Sequence, residues 1–121
     1  MVRALFDTNI LIDFLRGVPA ARAELALYES KAISVVTWME VMIGAPIAVD
    51  RATRDFLARF TLVDLSEAVA EQAVTLRRNY RLKLPNAIIW ASARVGASLL
   101  ITRDNKGFPE DDPGVRVPYR V

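Results

Sequence analysis

The sequence predicts an α/β domain with a mainly parallel sheet and helices on both faces. Short apolar runs stopped by polar or turn residues recur along the chain. Segments of helical period separate them. Acids stand where apolar runs end or where an apolar residue would be expected. Strands joined through helices run parallel, and such sheets bind ligands beyond the carboxyl ends of their strands.

Residues 2–6 form a short apolar run ended by Asp7, read as the first strand. Thr8 is placed to cap a helix carrying Ile10, Leu11, Phe14 and Leu15, which Gly17 ends. Pro19 opens a second helix to about Tyr28, because proline suits a first helical turn. Ala32–Val36 reads as the second strand and Thr37–Gly44 as a short helix broken at Ala45-Pro46. Asp50 to about Arg59 is helical, and Thr61–Leu65 is a third strand. Ser66 caps the longest helix, with Val69, Ala73, Leu76 and Tyr80 at helical spacing. Leu84-Pro85 restarts the chain into a helix from about Asn86 to Val95, stopped by Gly96. Ser98–Thr102 is the fourth strand, and Val115–Tyr119 is a fifth that Pro118 confines to an edge. The polar segment 104–114 between them is a loop.

Composition excludes several chemistries. With no His and no Cys, common zinc sites, imidazole bases, thiol nucleophiles and disulfides are absent. Side-chain chemistry therefore falls to oxygen, and oxygen ligands suit Mg²⁺ or Mn²⁺. The length fits a single domain over 1–121, with no apolar stretch of membrane-spanning length, and a cytoplasmic location is expected. A net charge of +2 alone does not argue for nucleic acid. The excess of 13 Arg over 3 Lys suits forked phosphate contacts, although a GC-rich genome gives the same bias.

Asp7, Glu40 and Asp104 stand out. Singly, each has a capping explanation: Thr37-Trp38-Met39-Glu40 fits a capping box, and the two Asp fit turn or helix starts. Jointly, acids gathered at one end of a sheet repel each other unless a cation screens them. Asp13, by contrast, reads as solvent-facing, and Trp38 and Trp90 as core or interface.

Four blocks in order give the chain a resemblance to PIN-domain ribonucleases, the VapC-type toxins of bacterial toxin–antitoxin pairs. They are Leu5–Ile12, Ser34–Gly44, Leu84–Ala93 and Leu100–Phe108. The resemblance implies a three-layer α/β/α domain with sheet order 3-2-1-4-5 and an acidic pocket for Mg²⁺ or Mn²⁺. It also implies cleavage of RNA, inhibition of translation, a cognate VapB-type antitoxin, a homodimer and toxin–antitoxin hetero-oligomers. Asp7, Glu40, Asn86 and Asp104 occupy its catalytic and metal-binding positions. Arg103, Lys106, Arg77, Arg78, Arg81 and Lys83 are the expected phosphate grips.

Two departures stand out. Asn86 replaces a usual Asp and removes a full charge, and Gly107 stands where many relatives carry another acid. An impaired nuclease is therefore expected, whether Asn86 is natural or introduced. Two rivals follow: a silent PIN-like scaffold binding RNA or antitoxin, and a receiver domain with Asp64 as phosphoacceptor. The receiver lacks its paired acids after strand one, where Thr8-Asn9 follows Asp7.

Overall fold

The structure, a computed structural model, describes residues 1–121. In chain order the elements are β1 (Arg3–Phe6), α1 (Thr8–Leu15), α2 (Pro19–Ala26), β2 (Ser30–Ser34) and α3 (Val35–Gly44). A 3-10 turn at Ile47–Val49 leads to α4 (Asp50–Leu57), β3 (Thr61–Val63), α5 (Glu67–Tyr80) and α6 (Leu84–Val95). The last strands are β4 (Leu99–Ile101) and β5 (Val115–Arg116). The sheet runs β3-β2-β1-β4-β5, with every pair parallel.

Side-chain alternation along the strands divides the core between the two faces. Leu5 and Leu100 pack with Val69, Leu76, Ile89 and Trp90 of α5 and α6. Ala4, Phe6 and Ile101 pack on the other face with Ile10, Leu11, Val41 and Phe56. Strand order reverses between β1 and β4, whose register pairs Phe6 with Ile101. The residues that follow both strands therefore emerge side by side. β5 is an edge strand as expected, but it ends at Arg116, so Pro118 lies beyond it rather than inside the expected Val115–Tyr119 strand.

Several boundaries differ from the sequence reading. Val35-Val36 belongs to α3 rather than to a strand, because the Ser34 hydroxyl accepts the Val36 N–H and starts the helix there. The Thr37–Glu40 capping box consequently does not form, and Glu40 is the sixth residue of α3. Asp7, not Thr8, caps α1, its carboxylate accepting the Thr8 N–H at 2.7 Å. Asp64 lies beyond the end of β3 rather than inside it. Because β3 is at the far edge, Asp64 is remote from the strand-order reversal, and the receiver reading loses its phosphoacceptor.

Candidate active site

Asp7 is the centre of the site. It follows β1, is 5% exposed, and its backbone N–H donates to the Ile101 carbonyl of β4 at 2.8 Å. Its two carboxylate oxygens are tied to different neighbours. Oδ1 accepts the Thr8 N–H, and Oδ2 accepts the Thr102 hydroxyl at 2.7 Å. The Thr102 oxygen in turn accepts the Asp104 N–H at 3.0 Å, so one buried hydroxyl sets the spacing of both acids.

Thr8 links Asp7 to Glu40, its backbone N–H serving Asp7 and its hydroxyl serving Glu40. Thr8 Oγ1 donates to Glu40 Oε1 at 2.6 Å and lies 3.0 Å from Thr37 Oγ1. One hydroxyl carries one proton, so with Glu40 served, Thr37 is the donor in the second contact. Thr37 and Glu40 are three apart on α3 and therefore share the face turned to α1. Asp104 is aimed by its own loop, Oδ1 accepting the N–H groups of Gly107 at 2.8 Å and Lys106 at 3.2 Å.

Asn86, in the first turn of α6, meets Asp104 across Gly107. A Cβ built on Gly107 would stand 2.2 Å from Asp104 Oδ2 and 2.8 Å from Asn86 Nδ2. Gly107 thus keeps a notch open between them. The fourth acid of many relatives cannot enter at 107 here unless Asp104 moves.

The electrostatics follow from this crowding. Burial pushes the Asp7 carboxyl up to about 6, and the nearby charges of Glu40 and Asp104 add to the rise. Hydrogen bonds from Thr102 and Thr8 oppose it. A cation would relieve that strain. The donor set is chemically suited to a hard divalent ion: carboxylates plus an amide oxygen. No three acids stand close enough to enclose an ion by themselves. Mg²⁺ does not demand that, since it usually keeps several waters and takes one or two carboxylates with phosphate oxygens.

The basic residues separate into groups. Arg81, Lys83 and Lys106 line a cavity of about 400 Å³ that reaches Asn86 and Asp104. Arg77 and Arg78 are exposed on the last turn of α5 and are not on its wall. Arg103 is engaged elsewhere. Its guanidinium forks onto Asp13, Nε at 2.6 Å and Nη2 at 3.2 Å, and Tyr119 donates to the same carboxylate at 2.8 Å. Both sequence expectations at this pair need correction: Asp13 is buried, 4% exposed, and Arg103 is tied up beside the pocket rather than free to take phosphate. Burial pushes Asp13 up, but Arg103 and Tyr119 together hold it below the ordinary carboxylate range.

Sequence reasoning missed Thr8 and Thr102 as site residues. The available signal was adjacency: a hydroxyl one residue after Asp7 and another two before Asp104.

An acid-lined socket at the reversal point of a parallel sheet defines the class: an α/β domain with carboxylates converging past its strand ends. Comparison with known proteins narrows it. The PIN domain family model matches residues 4–110. Ribonuclease VapC10 of Mycobacterium tuberculosis is 34% identical over 113 residues, covering 87% of this chain and 85% of that protein. A chain of a toxin–antitoxin complex from Klebsiella pneumoniae superposes with TM-score 0.93 at 46% identity, covering 98% of this chain and 99% of that one. A chain of VapBC2 from Rickettsia felis, solved on a promoter DNA fragment, gives TM-score 0.77 at 20% identity over 95% and 96%. The chain belongs to the PIN-domain family.

Proposed function

We propose that this chain is a VapC-type endoribonuclease, the toxin of a toxin–antitoxin pair, that uses Mg²⁺ or Mn²⁺ to hydrolyse RNA and so inhibits translation. One observation carries the reading. Asp7 is buried, pushed up to about 6, and linked to Glu40 through Thr8, whose backbone N–H it accepts and whose hydroxyl donates to Glu40, and to the Asp104 backbone N–H through the Thr102 hydroxyl. Ribonuclease VapC10 and the toxin–antitoxin chains named above support it by resemblance.

Asp7, Glu40 and Asp104 would hold the ion, with the Asn86 amide oxygen at the remaining side. When bound, it supplies a more acidic water and neutralises phosphate charge. The chain's own part is arrangement. Thr8 and Thr102 fix the acids before substrate arrives, and the Asp104 turn holds its carboxylate toward the notch at Gly107. The unpaired cations around the cavity draw the RNA backbone to the acids.

Asn86 lowers the negative charge of the donor set, so cleavage by this chain is expected to be weak. Asn86→Asp should raise divalent-dependent cleavage of RNA by about tenfold or more, read as new 5′ ends. Absence of divalent-dependent cutting in both forms would overturn the ribonuclease reading. The same loss of charge favours a second reading, a scaffold that binds RNA or antitoxin without cutting. Calorimetric titration separates them, since a scaffold shows no specific Mn²⁺ site.

The antitoxin would occupy an apolar groove of about 410 Å³ between α1, α3 and α4, lined by Ile12, Leu15, Val41, Pro46, Val49 and Ala52. Ile43 and Ile47, 84% and 92% exposed, flank it. That surface suits the apolar side of a partner helix or strand. A homodimer, hetero-oligomers with the antitoxin and a cytoplasmic location complete the proposal. No helix here is long and apolar enough to cross a membrane.

A further inference from the structure

β4 ends at Ile101, three residues before Asp104. The sheet reaches only one residue further, where the Thr102 N–H donates to the Arg116 carbonyl at 3.0 Å. Beyond that bond the chain enters the polar loop 104–114. The Asp104 carboxylate is aimed by N–H groups of this same loop. Those bonds travel with the loop and do not set its place against Asp7. Apart from the Thr102 hydroxyl, that task falls to Arg103. Its backbone N–H reaches only Asn9 Oδ1 at 3.4 Å, a weak contact. Its guanidinium, by contrast, forks onto Asp13 of α1.

Exposed ion pairs fix little. Here Asp13 is buried, the Arg103 side chain is 25% exposed, and the Tyr119 hydroxyl donates to the same carboxylate. A forked pair imposes direction as well as attraction. A buried pair is a poor source of stability beside apolar packing, so its use at this place points to geometry. A second cluster makes the contrast. Glu24 also receives a forked arginine, Arg116, and a tyrosine hydroxyl, from Tyr28. The chemistry is the same, but Arg116 lies in β5 and pairs with Ile101, where the ladder already fixes the backbone. Arg103 lies past the ladder and next to an acid of the site.

We propose that Asp13 and Tyr119 are positioning residues for Asp104. Through Arg103 they strap the start of the 104–114 loop to α1, the helix that Asp7 caps. One helix thus holds Asp7 at its first turn and, from Asp13 near its end, sets where Asp104 begins. Tyr119 brings the segment after β5 into the same strap, so the spacing of the two acids depends on that segment being closed over α1. Neither positioning residue touches the acids. The inference rests on the ion-site reading only for what a displaced Asp104 does to ion binding.

The test is amide hydrogen exchange of the whole chain by NMR in EDTA, followed by calorimetric titration with Mn²⁺. Tyr119→Phe keeps the ring against the core and removes only the hydroxyl, and Tyr28→Phe does the same at the matched cluster. In Tyr119→Phe the Asp104 and Gly107 amides should exchange about fivefold faster than in the parent. Mn²⁺ affinity should fall about threefold or more. Tyr28→Phe should leave those two amides and the affinity unchanged. Amides of β1, which open only with the whole domain, report the loss of stability in each variant. Arg103→Lys keeps the charge and loses the fork, so it should act as Tyr119→Phe does and more strongly. Unchanged exchange at Asp104 and Gly107 in Tyr119→Phe, or the same change in Tyr28→Phe, would overturn the proposal and leave both clusters as structural ties. So would an unchanged affinity in Tyr119→Phe when the parent binds Mn²⁺. If the two amides loosen as described but the parent binds no Mn²⁺, the positioning of Asp104 stands and the ion reading falls. If the parent binds Mn²⁺ and Tyr119→Phe alters neither exchange nor affinity, the reverse holds.

Discussion

Asp7 is held ionised at neutral pH against its surroundings, and that has a measurable signature. Its folded value of about 6 lies above the ordinary 3.8, so its contribution to stability is full below about pH 4 and is lost as pH rises through 6. Without divalent ions the loss is up to about 3 kcal/mol. Asp7→Asn removes the titration. Urea unfolding in EDTA should show the variant more stable than the parent at pH 7, with the difference vanishing near pH 4. Added Mn²⁺ should stabilise the parent but not the variant; an equal response of the two would place the ion elsewhere. Gly107 makes a second residue-scale prediction. A methyl group there must displace Asp104 Oδ2, so Gly107→Ala should reduce Mn²⁺ affinity about as much as Asp104→Ala, measured by calorimetry.

Two polar clusters tie elements together away from the acids. Asp13 on α1 receives Arg103, just past β4, and Tyr119 of the C-terminal segment. Glu24 on α2 receives Arg116 of β5 at 2.7 Å and Tyr28 at 2.8 Å. Every buried side-chain nitrogen and oxygen has a partner, so removing one member leaves another unsatisfied. Asp13→Asn should destabilise by about 2–4 kcal/mol and Tyr119→Phe by about 1 kcal/mol, read from urea midpoints at pH 7. These clusters were hidden in the sequence for a reason. A helical acid flanked by Ile12 and Phe14 looks solvated until a cation from ninety residues away, Arg103, is folded against it. The β2–α3 boundary was misread for a similar reason. Two β-branched valines favour a strand locally, yet the Ser34 cap starts a helix at them, and Val36 packs from that helix against the core cluster of Leu5, α5 and α6.

The whole chain should have an unusual pH profile when free of divalent ions. Burial pushes Glu24 up, but Arg116 and Tyr28 hold it below its ordinary value, and Asp13 is lowered as well. Lowered acids contribute stability above their unfolded values and lose it as pH falls through the folded ones. Asp7 acts in the opposite direction, so maximum stability should fall at about pH 4–5 rather than at neutrality. At this scale too lies the partner surface. Ile43→Asp with Ile47→Asp should leave the melting temperature nearly unchanged, because both side chains are already in water. The double variant should fail to copurify with the product of the neighbouring upstream reading frame; retained copurification would move the antitoxin off this groove.

The strand-and-helix succession, the parallel sheet and the acids past the ends of the first and fourth strands were all present in the sequence. They depend on local patterns, namely apolar runs, helical spacing and turn residues, which neighbouring residues alone can express. The order of the strands came with the resemblance to the PIN-domain family, not from those patterns, and the structure bears it out. Only the tertiary structure decided which groups act together. It joined Asp7 to Glu40 through Thr8 and to Asp104 through Thr102, withdrew Arg103 into Asp13, and left Arg81 facing the cavity unpaired. Those outcomes are contacts between residues distant along the chain, and their energies depend on burial and on a counter-charge arriving from another element. No local pattern carries that information.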